Sequence, residues 1–208
     1  MKIATYNVNS IRARKDLVLS WLEREPVDVL CLQELKQEEK NFPYEDFERL
    51  GYRCEVFAQK TYNGVCICTR LPMENVRKGF GDEYFDQQKR IISAVIEGIT
   101  VINVYAPHGD VRGTEKFYYK LEFYERLLSY LKENYSPEEP ICMVGDFNVA
   151  REDIDVYDPE MLRGYHRQPM KEEREAFERI LSWGFIDSLQ IPLPRQGPGS
   201  PGGITLGE

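Results

Sequence analysis

The chain has no apolar run near the roughly 18 residues a membrane-spanning helix needs. Its start, Met1 to Thr5, passes straight into strand-like sequence without a signal-peptide core. Both absences lead to the expectation of a soluble, cytoplasmic protein with no membrane partner. Cysteine is scarce and odd in number: Cys31, Cys54, Cys66, Cys68 and Cys142. Most of them fall inside apolar strand candidates, where a free thiol behaves as a small hydrophobe. Neither a disulfide nor a structural zinc site is expected. Cys66 and Cys68 share one strand candidate, and only two histidines, His108 and His166, exist to complete a soft-metal site. Basic excess is also missing, since the net charge is −8. That argues against holding polyanions by bulk attraction. It remains compatible with carboxylates clustered around a hard divalent cation beside a local basic rim.

What is present alternates. Apolar, β-branched runs at Lys2 to Val8, Val27 to Gln33, Tyr52 to Ala58, Val65 to Thr69, Ile91 to Glu97, Ile99 to Tyr105 and Ile141 to Asp146 predict strands. Helical periodicity marks Leu17 to Glu25, with Asp16 as N-cap, then Lys116 to Tyr135 and Lys171 to Trp183. Helical crossovers early and a hairpin at Glu97-Gly98 predict a layered α/β fold with mixed rather than all-parallel sheets. Residues 1–190 read as one domain. The stretch 191–208 differs, with four prolines, five glycines and few aliphatics, and reads as a flexible tail.

Polar residues close several apolar runs. Asn7 follows the first strand, Glu34 the second, and Gly145-Asp146-Phe147-Asn148 a later one, so all can meet at one end of a sheet, where open α/β folds build their sites. A carboxylate ending a buried run is costly unless a cation or hydrogen bonds receive it. Magnesium is the natural receiver. Glycine at Gly145 permits a tight turn. If the extended conformation continues past it, Asp146 and Asn148 share a side while Phe147 anchors in the core.

Six segments in order resemble the exonuclease III and AP endonuclease branch of the endonuclease/exonuclease/phosphatase superfamily: Thr5 to Arg12, Leu32 to Lys36, Tyr62 to Val65, Asn103 to Pro107, Gly145 to Asn148, and Asp153 to Tyr157. They cover the chain to about Leu189. The resemblance implies a sandwich of mixed β-sheets flanked by helices. It implies Mg2+-dependent hydrolysis of DNA phosphodiesters, with Mn2+ as a possible substitute. The substrates would be duplexes with abasic sites or 3′ ends, cut by a protein that is monomeric at full length. Glu34 is similar to the metal carboxylate, with Asn7 completing the metal or phosphate environment. Asp146 is similar to the aspartate that orients or deprotonates water, Asn148 to the amide that holds water or phosphate, and Tyr105 to a phenol near the phosphate. Arg12, Lys36, Asn63 and Arg90 are similar to positions that contact the DNA backbone. Taken without the resemblance, Tyr105 reads as a core aromatic and Arg90 as half of a solvated Lys89-Arg90 pair. His108 and His166 read first as solvated loop residues.

The family pattern continues through a Thr-Trp-Trp-Asp-Tyr segment, a strand aspartate and an Asp-His pair that this sequence does not contain. The expectation is therefore a nuclease fold lacking its C-terminal strands and impaired in hydrolysis. A non-catalytic metal- or nucleic-acid-binding fragment, or a related superfamily phosphodiesterase, is the alternative. One codon set for residues 199–205, read two bases on, encodes Phe-Thr-Trp-Trp-Asp-Tyr, and the expectation is a frameshift between Leu189 and Gly199.

Overall fold

The computed structural model describes residues 1–151 and 171–188. The Asp153 to Tyr157 motif, His166 and the 191–208 tail lie outside them. Two four-stranded sheets face each other. The first contains β1 (Ile3–Asn7), β2 (Val29–Gln33), β3 (Arg53–Phe57) and β4 (Val65–Thr69), in the order β1-β2-β4-β3. The second contains β5 (Met73–Lys78), β6 (Ile91–Ile96), β7 (Ile99–Tyr105) and β8 (Ile141–Asp146), in sequence order. Both are mixed, as the pattern predicted.

Each sheet ends in a parallel pair. β1 runs alongside β2 with Asn7 opposite Gln33, and β7 alongside β8 with Tyr105 opposite Asp146. The carboxyl ends of these four strands therefore lie at one end of the sandwich, and that arrangement gathers the site. β6 and β7 form the expected hairpin, Ile96 opposite Ile99. Glu97 and Gly98 both take positive φ, 52° and 74°, as a tight turn between twisted strands requires.

Alternation along the strands sorts side chains into three cores. On β2, Leu30 and Leu32 face outward to α1 (Ile11–Arg24) and α2 (Tyr44–Arg49), meeting Ile11, Val18, Leu22 and Phe47. Val29 and Cys31 face inward, against Ile92, Ala94 and Val101 of the second sheet. Beneath the second sheet, Ile102 and Val104 pack on α4 (Glu115–Asn134) and α5 (Lys171–Ser182) through Phe123, Tyr124, Leu127 and Ile180. A short helix, α3 (Glu83–Asp86), places Phe85 in the same layer. Among the described residues no helix is long and apolar enough to cross a membrane.

One polar pair crosses the central layer. The Gln33 amide donates to Thr5 Oγ1 (2.9 Å) and to Asn103 Oδ1 (2.7 Å). Asn103 donates in turn to the carbonyls of Leu32 (2.9 Å) and Cys66 (2.8 Å). Both residues are buried, so this network ties the sheets together directly behind Glu34.

Three expectations need correction. Cys54 and Cys68 form a disulfide, although none was expected. The two lie directly opposite on antiparallel β3 and β4, a relation that counting cysteines cannot reveal. Helix α1 begins at Ile11, with Ser10 rather than Asp16 at its cap, because the N–H groups of Ser10 and Ile11 are taken by the carbonyls of Glu34 and Leu35. Strand β5 has no apolar alternation to announce it; its sequence is MENVRK, and pairing with β6 holds it in place.

Candidate active site

β1 ends at Asn7, and the chain then turns through Asn9 and Ser10 at positive φ, 41° and 88°. Glu34 and Lys36 after β2, Asn63 before β4 and Asn148 after β8 also carry positive φ, between 49° and 55°. Left-handed conformations at non-glycine residues cost energy and persist only where surrounding contacts enforce them. Here they concentrate at one end of the sandwich.

Asn7 is the centre of the arrangement. Its amide nitrogen donates to Glu34 Oε1 at 2.9 Å and to Asp146 Oδ2 at 2.8 Å, so one NH2 group bridges a carboxylate from each sheet. Its oxygen accepts the Asn9 N–H at 3.0 Å, which fixes the orientation of the amide. Three residues far apart in sequence thus converge in a half-buried cleft.

Lys36 Nζ lies 3.0 Å from Glu34 Oε2 and donates to Asn9 Oδ1 at 2.5 Å. Burial pushes the Glu34 carboxyl up. Hydrogen bonds from Asn7, Tyr105 and Lys36, with the Lys36 charge, outweigh that and hold it below the ordinary glutamate value. Tyr105 is pushed the other way, upward, by burial and by its hydrogen bond to Glu34. It therefore stays a neutral phenol, donating to Glu34, throughout the physiological range.

The loop after β8 is held from several sides. Gly145 has φ +137°, and a Cβ there would sit 1.9 Å from the Val104 carbonyl oxygen, so only glycine lets β8 approach β7 this closely. Asp146 Oδ1 accepts the Asn148 N–H at 3.0 Å, and the Asn148 amide donates to the Ala106 carbonyl at 2.8 Å. The strand does not continue past Asp146. Instead Asn148 turns back left-handed, and its link to Asp146 is made by its backbone N–H rather than by strand alternation. Phe147 packs against Phe177 of α5, in the core as expected.

The remaining predicted residues divide into two groups. Arg12 and Lys36 line a cleft of about 620 Å³ beside the site, together with Lys15 and Lys60. Lys15 and Lys60 were not anticipated, because isolated surface lysines carry no sequence signal. Asn63 accepts the Lys36 N–H through its carbonyl, 2.9 Å away, and so braces that loop. Arg90 belongs to neither a solvated pair nor this cleft. Its guanidinium stacks on the Tyr105 ring, 4.7 Å from the centroid, and donates to the Tyr105 carbonyl at 3.1 Å. The His108 imidazole is well exposed, 3.6 Å from Asp110.

Among the described residues no three of His, Cys, Asp and Glu cluster as a ready-made metal cage. The donors that do converge, Glu34 and Asp146, are hard oxygens without a thiolate or imidazole. Such a pair suits Mg2+, which is usually held by one or two carboxylates, waters and a substrate phosphate rather than by an all-protein shell.

Comparison with known proteins identifies the family. Residues 4–205 match the Endonuclease/Exonuclease/phosphatase family. The exodeoxyribonuclease III of Haemophilus influenzae is 36% identical over 200 residues, covering 91% of this chain and 75% of that protein. An AP endonuclease from Archaeoglobus fulgidus superposes with TM-score 0.86 at 42% identity, covering 91% of this chain and 73% of that one. A 3′ phosphatase from Neisseria, solved bound to a product DNA hairpin, superposes with TM-score 0.82 at 35% identity, covering 88% and 71%. Sequence, fold and the convergence of Asn7, Glu34 and Asp146 together show that the chain belongs to the endonuclease/exonuclease/phosphatase family, in its exodeoxyribonuclease III and AP endonuclease branch of hydrolases.

Proposed function

We propose that this chain carries the site of a Mg2+-dependent DNA-repair nuclease that cleaves phosphodiesters beside abasic sites and at 3′ ends. The observation that carries the reading is the Asn7 amide bridging Glu34 and Asp146 at 2.9 and 2.8 Å. The Asn7 amide takes one oxygen of each carboxylate, and the remaining lone pairs of Glu34 and Asp146 are what a divalent cation and an attacking water would use.

Hydrolysis of a phosphodiester needs a water in line with the leaving oxygen, a base for its proton, and positive charge on the phosphate. Asp146 is assigned the base, since its carboxylate ends β8 at the cleft and is oriented by Asn7 and the Asn148 N–H. Asn148 is assigned to holding the water or a phosphate oxygen. Tyr105, a neutral phenol beside Glu34, is assigned to donating toward developing charge. Glu34 would hold Mg2+, which when bound would supply positive charge to the phosphate, and Asn7 would complete the metal environment through the amide that orients Glu34. Arg12, Lys15, Lys36 and Lys60 line the neighbouring cleft and are assigned to the strand phosphates. Arg90, whose guanidinium stacks on the Tyr105 ring, and Asn63 are assigned with them to the DNA backbone. An abasic nucleotide is already unstacked, which lowers the cost of turning it into the cleft.

Incubating the chain with a duplex containing one abasic site, with Mg2+ or with a chelator, tests the reading. Incision only with the metal is expected, lost in Asp146→Asn. Retention of the duplex without incision would instead support a nucleic-acid-binding chain that does not turn over.

A further inference from the structure

Lys120, in the second turn of α4, is 1% exposed, which is rare for an ammonium. Its charge meets Glu173 of α5 at 3.1 Å. Its other donors go to two backbone carbonyls, His108 at 3.2 Å and Asn148 at 2.6 Å. Three N–H bonds thus have three partners. The two carbonyls belong to the two loops that leave the paired strands β7 and β8 at the site. One turn along α4, the Tyr124 hydroxyl donates to the carbonyl of Phe147. Gly109 lies so near that a Cβ would fall 2.6 Å from Lys120 Cδ, so the loop after β7 rests on the lysine stem.

Apolar residues of similar volume would join α4 to α5 at least as well, because a buried ion pair rarely outdoes hydrophobic packing. Packing alone therefore does not account for a lysine here. What an apolar residue cannot do is fix the Asn148 carbonyl. Asn148 is the residue whose N–H orients Asp146 and whose amide bonds to Ala106. The chain of contacts runs from Lys120 through the Asn148 backbone to the Asp146 carboxylate.

We propose that Lys120 is a positioning residue for hydrolysis, gripping the backbone of the Asn148 loop so that Asp146 and Asn148 keep their working geometry. The proposal rests on the nuclease reading of that site. It does not require Lys120 to touch substrate.

The test compares the wild-type chain with Lys120→Met/Glu173→Leu, Glu173→Gln and Lys120→Arg. The readouts are thermal unfolding, kcat and KM on the abasic duplex with Mg2+, and the Asn148 amide resonances. The double variant removes both charges but leaves the His108 and Asn148 carbonyls without their donor, and is expected to melt somewhat below the wild type while staying folded at the assay temperature. Its kcat is expected to fall about 30- to 100-fold with KM within about threefold, the size of loss a misplaced catalytic group gives. Its Asn148 resonances are expected to move. Lys120→Arg keeps a charged donor and is expected to recover kcat to within about tenfold of wild type. Glu173→Gln leaves both carbonyl bonds in place and is expected to lose kcat by about threefold or less. A double variant with wild-type kcat, or one whose Asn148 resonances do not move, overturns the proposal. So does a Glu173→Gln loss as large as that of the double variant. If the wild type binds the duplex but never cuts it, the nuclease reading fails. The Asn148 resonances then still decide whether Lys120 holds the loop.

Discussion

Asn7 is the residue on which the site depends most directly. Replacing it with alanine removes both donors and leaves Glu34 and Asp146 facing each other across a gap. The expected result for Asn7→Ala is a loss of incision on the order of 10²-fold with little change in duplex affinity, read in single-turnover assays. Glu34 gives a pH test. Its carboxyl is held below the ordinary value, so the folded state binds its proton more weakly than the unfolded chain. That contribution to stability is complete above the unfolded glutamate pKa and is lost as pH falls through the lower, folded one. In metal-free protein, the gap in urea midpoint between wild type and Glu34→Gln should be present at pH 7 and shrink as pH falls below the ordinary glutamate value. A gap that does not change with pH would contradict the assignment. At this scale much was legible beforehand: Asn7, Glu34 and Asp146 each interrupt an apolar run, and burial makes such residues conspicuous. The stacking of Arg90 on Tyr105 was not, because nothing local distinguishes an arginine that stacks on a distant tyrosine from one in solvent. Lys120 and Glu173 were hidden by helical periodicity, which marks a polar residue as a surface residue.

Among the elements, strands with an apolar face announced themselves and the polar β5 did not. Its residues gain their conformation from β6 rather than from any preference of their own. The early start of α1 has a similar origin, since carbonyls from the loop after β2 satisfy its first N–H groups. The β7–β8 pair offers a sharp test. Gly145→Ala pushes a Cβ to 1.9 Å from the Val104 carbonyl oxygen at φ +137°. It is expected to cost at least about 3 kcal/mol in denaturant unfolding, because both the clash and the backbone conformation oppose it. Asn103→Ala removes the partner of the Gln33 amide and of two buried carbonyls. A loss of about 2–3 kcal/mol is expected by the same measurement.

For the whole molecule, charge is distributed unevenly. The net value is −8, yet Arg12, Lys15, Lys36 and Lys60 gather on one cleft. Duplex affinity is therefore expected to fall with salt at a logarithmic slope of about −3 to −4, as for neutralising roughly four phosphates. A slope near zero would remove the cleft from the interface. The layered architecture was legible because strand and helix periods alternate along the chain. The Cys54–Cys68 bond was not, since it depends on a strand register that only tertiary structure sets. The Asn7 bridge also has a mechanical meaning: one of its acceptors belongs to each sheet, so the seam between the sheets runs through the middle of the reactive cleft. Hydrostatic compression, which drives water into such seams, should then silence cutting at pressures where the secondary structure is still intact.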